Sequence, residues 1–254
     1  MPPHRRTSGP RPSTWSFSQS VQEQALIRLS ENGKLDLAAS VVSNVLNSKG
    51  KPHAFFGGYA VTLIGGDRTT EDVDLIVVEP ADSIRQLLLE SDPRFFMSST
   101  NELLYRVVCQ EKHIPVEILQ GGEGATLRLP DIITTPSIRL NPSDIHPDRV
   151  NCEISILHPS VLLLTKVHRW MFIAESTRPA SLAKAGTDFR DIITLLNWMR
   201  DHNSTIEFSG FYETRKEKLL AGFQLLLHLN EGLKDVLKQI MFPADFQTIL
   251  EFMS

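Results

Sequence analysis

The sequence predicts an α+β protein in which a β-sheet with flanking helices is followed by a helical C-terminal region. Five short apolar segments typical of strands lie between residues 53 and 157, and apolar residues recur at every third or fourth position after His158. With 254 residues, of which 41% are hydrophobic, the chain can bury a substantial core. We therefore expect a sheet-containing domain over residues 17–157 and a helical domain over residues 158–254.

Residues 1–16 are predicted to form a disordered tail. They are rich in Pro, Ser and Arg, and no acidic residue precedes Glu23. The prolines would interrupt the amphipathic helix of a mitochondrial signal, so a tail is favoured over a transit peptide. No apolar stretch reaches the length of a membrane span, and a cytoplasmic protein without a membrane partner is expected.

The elements of the first half follow from the hydrophobic period. Apolar residues spaced at three and four predict helices over residues 20–33 and 34–50, each ending at a glycine. Strands are expected at 53–56 and 72–78, with a short helix at 57–66 between them and a longer helix at 81–90.

The second half changes from strands to helices. Segments 102–110 and 113–120 predict a hairpin joined through Glu111 and Lys112, and 149–157 predicts another strand. Residues 121–147 are expected to form a long loop with one extended segment. The apolar period then predicts helices over 159–176, 187–202 and 211–229.

Charge and cysteine content limit the function classes. Lys and Arg number 26 against 30 Asp and Glu, so the chain lacks the basic excess of a general phosphate-backbone binder. Cys109 and Cys152 lie beside branched apolar residues and are expected to be buried free thiols. Two cysteines cannot form a metal cluster alone, and the eight histidines show no zinc-ligand spacing.

Asp72 and Asp74 form the clearest chemical signal. Residues two apart in a strand point to the same side, so the two carboxylates share one face while Val73 lies on the other. Burying two unpaired carboxylates side by side costs several kcal/mol. A divalent cation removes that cost, and Mg²⁺ prefers carboxylate, water and phosphate oxygens as ligands. Glu71 falls on the opposite face and is not a candidate ligand.

Gly57 and Gly58 lie where the strand at 53–56 gives way to the short helix. Their backbone N–H groups are available to phosphate, as at other strand-to-helix turns rich in glycine. A tight turn without a ligand is the alternative interpretation.

This pattern of a Gly-Gly pair, a short helix and an apolar-flanked Asp-x-Asp resembles the signature of the nucleotidyltransferase superfamily, which has the DNA polymerase β-like fold. The run from Gly66 to Asp74 resembles the G-x-R-x-T-x-D-h-D element of AbiEii-type and minimal nucleotidyltransferases. The similarity is strong over residues 55–78 and weaker up to Met199. It implies a mixed β-sheet, Mg²⁺ or Mn²⁺ as cofactor and an NTP such as ATP as substrate, with Arg68 and Thr70 among the nucleotide-binding residues.

The superfamily carries a third carboxylate on a later strand, and Glu117 between Val116 and Ile118 occupies a matching setting. A solvent-facing glutamate is the alternative. Lys166 stands on an otherwise apolar helix face, where it either reaches the nucleotide phosphates or extends its ammonium group into water. Arg68 either contacts phosphate or pairs with an acidic neighbour.

Asp188 and Asp191 resemble a later K-D-x-x-D element of the family, although three residues separate Lys184 from Asp188. Thr187 is also a candidate N-cap with Asp188 in the first turn of a helix. A catalytic role and a structural role for the two aspartates both remain open at this stage.

The sequence thus predicts a Mg²⁺-dependent nucleotidyltransferase that moves an NMP group from an NTP to a hydroxyl-type acceptor. Asp72, Asp74 and Glu117 are the expected catalytic residues and metal ligands, and Gly57, Gly58, Arg68, Thr70 and Lys166 the expected nucleotide-binding residues. The modest negative charge favours a small molecule or a protein over nucleic acid as acceptor, although basic residues around Arg215 could form a local exception. The alternatives are an inactive module that binds nucleotide or a partner and, from the AbiEii likeness alone, a toxin that modifies tRNA ends.

Overall fold

The computed structural model describes residues 29–107, 112–122, 125, 129–211 and 214–251. The α-helices in these ranges are α1 (Glu31–Ser48), α2 (Gly57–Thr62), α3 (Ala81–Ser91), α4 (Pro159–Ile173), α5 (Pro179–Asp201), α6 (Lys216–Leu229), α7 (Lys234–Ile240) and α8 (Pro243–Glu251). The strands are β1 (His53–Phe56), β2 (Val73–Val77), β3 (Phe95–Met97), β4 (Leu103–Arg106), β5 (His113–Gln120), β6 (Ser137–Leu140) and β7 (Ile154–Leu157).

The seven strands form one sheet in the order β3-β4-β5-β2-β1-β7-β6. β2 runs parallel to β5 and β1 parallel to β7, whereas the other neighbouring pairs are antiparallel. The sheet is therefore mixed, helices flank it, and a helical region follows it. The predicted α+β fold class is confirmed.

The first helix differs from the prediction. Gly33 does not end a helix but lies in the first turn of α1, and its N–H group donates to the Ser30 hydroxyl, 3.1 Å away. The predicted helix end was wrong because a serine N-cap followed by an acidic residue starts a helix more strongly than one glycine stops it. Gly50, in a left-handed conformation, follows the end of α1 as expected. Residues 20–28 of the first predicted helix, like the predicted tail, lie outside the described residues.

Strands β1, β2 and β5 match the prediction within one residue, whereas β7 begins at Ile154 and not at residue 149, and two further features differ in detail. β4 and β5 pair antiparallel, as expected for the predicted hairpin. Residues 108–111 of the connection between them, which include Cys109 and Glu111, lie outside the described residues. β3 was not expected, since it has three residues. The extended segment expected in the long loop is β6, and Cys152 is a half-buried free thiol rather than a fully buried one.

A buried polar network holds α2 against α1. The Tyr59 hydroxyl donates to Asp36 Oδ1 over 3.0 Å, and Arg149 donates to both Asp36 oxygens and to the Thr62 carbonyl oxygen. All four residues are buried, so each polar group needs these partners. The network fixes the helix that begins at the Gly-Gly pair.

The helical region packs α4 and α5 together through buried leucines and Met199, and α5 also contacts α2. α5 begins at Pro179, so Thr187 and Asp188 lie inside the helix and the expectation that Thr187 caps it was wrong. Proline at the first helical position explains the earlier start. The last strand ends at Leu157 and α4 begins at Pro159, and we keep a domain boundary at this point as a proposal.

Among the residues that the structure describes, no helix combines the length and the apolar character that crossing a membrane requires.

Candidate active site

Three carboxylates come together at the centre of the sheet. Asp74 on β2 lies directly opposite Glu117 on the parallel strand β5, and Asp72 immediately precedes β2 on the same side as Asp74. Each of the three side chains offers an oxygen within 4.8 Å of the others. Glu71 is exposed, with Lys112 Nζ 3.4 Å from its carboxylate, so it is not part of this acidic cluster.

The acidic cluster is electrostatically strained. Burial, followed by the negative charges of Asp72 and Glu117, raises the pKa of Asp74 to about 7. Asp74 and Glu117 are close enough to share a hydrogen bond, and the Lys166 ammonium group partly offsets the repulsion. A proton or a bound cation at this site would relieve the repulsion near neutral pH.

Gly57 makes room for the acidic cluster. Its φ of 68° lies in the left-handed region that favours glycine. A Cβ atom at this position would come within 1.9 Å of Asp74 Oδ2. The Asp74 carboxylate thus lies directly against the backbone that connects β1 to α2, and no residue with a side chain fits there.

Gly58 makes room for two other predicted residues. A Cβ atom here would lie 2.0 Å from Arg68 Nη2 and 2.7 Å from Thr70 Oγ1. Thr70 Oγ1 in turn donates to Asp72 Oδ1 over 2.8 Å, which holds that carboxylate in place. The two glycines therefore leave space for different groups. Gly57 leaves space for the Asp74 carboxylate, and Gly58 leaves space for two side chains of the loop between α2 and β2.

Arg68 and Lys166 both bind Asp191 on α5. Arg68 Nε donates to Asp191 Oδ1 over 2.7 Å, and Lys166 Nζ donates to Oδ2 over 2.6 Å. Lys166 is 4% exposed, so its ammonium group does not extend into water. Arg68 does pair with an acidic residue, and its contact with phosphate stays a prediction.

Asp188 and Arg169 complete a charged cluster in which the two aspartates and Lys166 are buried, whereas the Arg169 side chain is 46% exposed. Asp188 is fully buried and accepts hydrogen bonds from Nε and Nη2 of Arg169, and its Oδ1 lies 3.7 Å from Lys166 Nζ. Burial lowers the pKa of Lys166, and the charge of Asp191 opposes this. Arg169 was missed from the sequence. Its position three residues after Lys166, on the same face of α4, is the signal that could have found it.

The donor set of the acidic cluster suits a hard divalent cation. Within the described ranges, Asp72, Asp74 and Glu117 form the group whose ligand atoms are close enough to hold one ion. All three supply carboxylate oxygens, which favours Mg²⁺ or Mn²⁺ over zinc. A bound ion would offset both the burial and the neighbouring charges that raise the pKa of Asp74.

The mixed sheet with its flanking helices has a nucleotidyltransferase-like fold. The structure is similar to that of an antigenic nucleotidyltransferase-like protein from Paracoccidioides brasiliensis, with a TM-score of 0.63 and 23% identity. The alignment covers 84% of this chain and 97% of the other. At this identity the likeness shows the fold alone.

Two further solved structures align less closely. The antibiotic-resistance factor ANT(2'')-Ia gives a TM-score of 0.38 at 11% identity, covering 84% of this chain and 96% of that chain. JHP933 from Helicobacter pylori gives a TM-score of 0.43 at 12% identity, and the alignment covers 92% of this chain and 81% of that chain. The fold assignment rests on the first structure, because only its TM-score exceeds 0.5 among these three. No family model and no curated protein sequence matches the chain.

Proposed function

We propose that the protein is a Mg²⁺-dependent nucleotidyltransferase, which transfers an NMP group from an NTP to a hydroxyl-type acceptor and releases pyrophosphate. The observation that carries the proposal is the acidic cluster, with its three ligand oxygens within 4.8 Å, lying against the backbone of Gly57. Carboxylates in this arrangement repel one another without a cation, and a strand pair at the centre of a sheet has no structural need for them.

Asp72, Asp74 and Glu117 would hold the ion, either Mg²⁺ or Mn²⁺. When bound, it would stabilise the negative charge that develops on phosphate oxygens. Asp74 and Asp72 are half-buried, whereas Glu117 is exposed. We therefore assign to Glu117 the side of the cluster that an acceptor approaches, where it would position or deprotonate the nucleophile.

The triphosphate would lie along the Gly57–Gly58 backbone, on the side where Arg68 and Thr70 approach. Arg68 Nη2 is directed to Gly58 while Nε is held by Asp191, so one edge of the guanidinium group remains beside the backbone. Lys166 supports the same region through its bond to Asp191. Guanidinium and ammonium groups next to backbone N–H groups are suited to a chain of phosphates.

The reaction balances without a further reactant. The acceptor oxygen forms a bond to the α-phosphorus, and the bond from that phosphorus to the oxygen bridging to the β-phosphate breaks. The hydroxyl proton passes to a carboxylate, with Glu117 as the candidate, and pyrophosphate leaves with the bond electrons. The net negative charge of −4 favours a small molecule or a protein hydroxyl over nucleic acid as acceptor.

The test is incubation of the purified protein with each α-labelled NTP, Mg²⁺ and candidate acceptors, with the Asp72→Ala/Asp74→Ala double variant as control. We expect label transfer with the wild-type protein only, and a mass gain of one nucleotide on the acceptor. Equal results for the two proteins with every NTP would contradict the proposal. Nucleotide binding without pyrophosphate release, measured by calorimetry, would identify a binding module instead.

Gly58→Ala should weaken nucleotide binding without unfolding the protein. The added methyl group meets Arg68 Nη2, the end of a long side chain that can move once it gives up its present contacts, and Thr70 Oγ1, which is bonded to Asp72, and φ at Gly58 is not positive. Displacing the guanidinium group should raise KM for the NTP by about 10-fold, since a charge-assisted hydrogen bond contributes about 1.5–3 kcal/mol. Steady-state kinetics check the weaker nucleotide binding, and a thermal scan checks that the protein stays folded. An unchanged KM would contradict the predicted effect on binding.

A further inference from the structure

Asp191 is the point at which the cations of the candidate active site meet. Its two oxygens accept hydrogen bonds from different residues, Oδ1 from Arg68 Nε and Oδ2 from Lys166 Nζ. Arg68 comes from the loop between α2 and β2, Lys166 from α4 and Asp191 from α5. One buried carboxylate therefore fixes two cations from separate parts of the chain.

Stability alone does not account for this arrangement. Replacing a buried ion pair with apolar residues of similar volume is often neutral or stabilising, because desolvation offsets the attraction between the charges. The charged cluster also carries an excess of positive charge, since its described members comprise three cations and two carboxylates. The members are Arg68, Lys166, Arg169, Asp188 and Asp191.

The excess positive charge lies beside the acidic cluster. Arg68 Nη2 is held against Gly58 by the bond from Nε to Asp191 and by a 3.2 Å bond from Nη1 to the Thr69 carbonyl oxygen. Lys166 Nζ is held 2.6 Å from the other oxygen of the same Asp191 carboxylate, so the two cations lie on one side chain. An anion that spans from the acidic cluster to Gly58 would meet both cations.

We propose that Asp191 is a positioning residue for polyphosphate binding, holding Arg68 and Lys166 side by side next to Gly58 so that both cations meet the same phosphate chain. The ligand class, a polyphosphate carried with Mg²⁺, rests on the proposed function. Asp191 does not touch the phosphates and acts through the two cations.

Asp191→Asn changes this contact while keeping the shape of the side chain. An Asn side chain offers one acceptor oxygen, and its NH₂ group would face the second cation donor to donor. Either Arg68 or Lys166 must then move. The two cations also lose the negative charge of Asp191, which offsets the repulsion between them. The carboxylates of the acidic cluster keep all their contacts.

The experiment is calorimetric titration of inorganic tripolyphosphate in excess Mg²⁺, with Mn²⁺ alone titrated as a second readout. Asp191→Asn should weaken tripolyphosphate binding by about 10-fold or more, while Mn²⁺ affinity changes by less than about 3-fold. A merely structural role would lower both affinities together. Asp245→Asn is the matched control, because it removes a buried carboxylate bound to Lys216 in the helical region, and it should change neither affinity.

A double-mutant cycle tests whether Asp191 acts through Arg68. In the Arg68→Ala background, Asp191→Asn should cost clearly less tripolyphosphate affinity than in the wild-type background. If Asp191→Asn does not fold, Asp191→Glu takes its place, since it keeps the charge but moves it by one methylene group. The expected loss is then smaller, again without loss of Mn²⁺ affinity.

Tripolyphosphate affinity unchanged by the Asp191 variant, or fully additive losses in the cycle, would overturn the inference. Failure of the wild-type protein to bind tripolyphosphate would also overturn it. Binding that shows the expected losses, together with absence of NMP transfer in every assay, would support the inference and count against only the proposed transferase activity.

Discussion

Asp74→Asn is expected to stabilise the metal-free protein at pH 8 and to abolish nucleotidyl transfer. The carboxylate is half-buried and faces Asp72 and Glu117, so at this pH its charge is unfavourable until a cation binds. Removing the charge should raise stability by about 1–2 kcal/mol, which corresponds to about 2–8 °C in Tm for a chain of this size. Transfer should fall by about 10³-fold, because a metal ligand contributes several kcal/mol to the transition state.

The pH dependence has a definite sign. The pKa of Asp74 is about 7 in the folded protein, raised from 3.8, so the folded state binds more protons than the unfolded state between these values. The contribution of Asp74 to the free energy of unfolding is fully present below about pH 4 and is lost as the pH rises through about 7. The Asp74→Asn variant has no ionisable group at this position, so its stability does not fall in this way as the pH rises. The gap in Tm between the two proteins in chelator should therefore widen from pH 5 to pH 8.

Added cation should reverse the order of stability. Mg²⁺ or Mn²⁺ binds the folded wild-type protein and raises its Tm according to ligand concentration and affinity, whereas the Asn variant should respond weakly. Glu71→Gln is the matched control. It removes an exposed carboxylate one residue from Asp72 and should leave both the response to cation and the transfer activity unchanged. An Asn variant less stable than wild type in chelator at pH 8 would contradict the account of a strained acidic cluster.

The members of the acidic cluster could be predicted from the sequence, two from a local spacing and the third from the family resemblance. The two-residue spacing of Asp72 and Asp74 determines their shared face, and Glu117 was found because the family resemblance implies a third carboxylate on a later apolar strand. The alternation of side chains along a strand does not predict that β2 pairs with β5, because strand order depends on how the whole sheet assembles. The register that places Glu117 opposite Asp74 is visible only in the structure.

The charged cluster could not be predicted, because its contacts join distant parts of the chain. Arg68 and Asp191 are 123 positions apart, and nothing near either residue identifies the other as its partner. The start of α5 was wrong for a different reason. Its first two turns are mostly exposed and carry small residues such as Ala183 and Gly186, so the apolar period becomes visible only near Asp188.

Gly57→Ala is expected to destabilise the protein and to destroy the cation site in one step. The new Cβ atom would lie 1.9 Å from Asp74 Oδ2 and 2.8 Å from Asp74 Cγ, so the carboxylate or the backbone must move. The φ of 68° adds the cost that a left-handed conformation imposes on any residue with a side chain. We expect a loss of about 2–4 kcal/mol in the free energy of unfolding, together with loss of Mn²⁺ binding.

Gly50→Ala separates the cost of the left-handed backbone from the cost of the overlap with Asp74. Gly50 has a similar φ of 62°, but a Cβ atom there would meet no atom within 4 Å, so the variant should lose only about 1 kcal/mol and bind Mn²⁺ normally. The excess cost of Gly57→Ala then measures the overlap with Asp74. In the Asp74→Ala background most of that excess should vanish, because Asp74 Cβ lies 3.1 Å from the added atom and needs to shift only slightly. Equal costs at Gly57 and Gly50 in denaturant unfolding would mean that the carboxylate does not lie against the Gly57 backbone in solution.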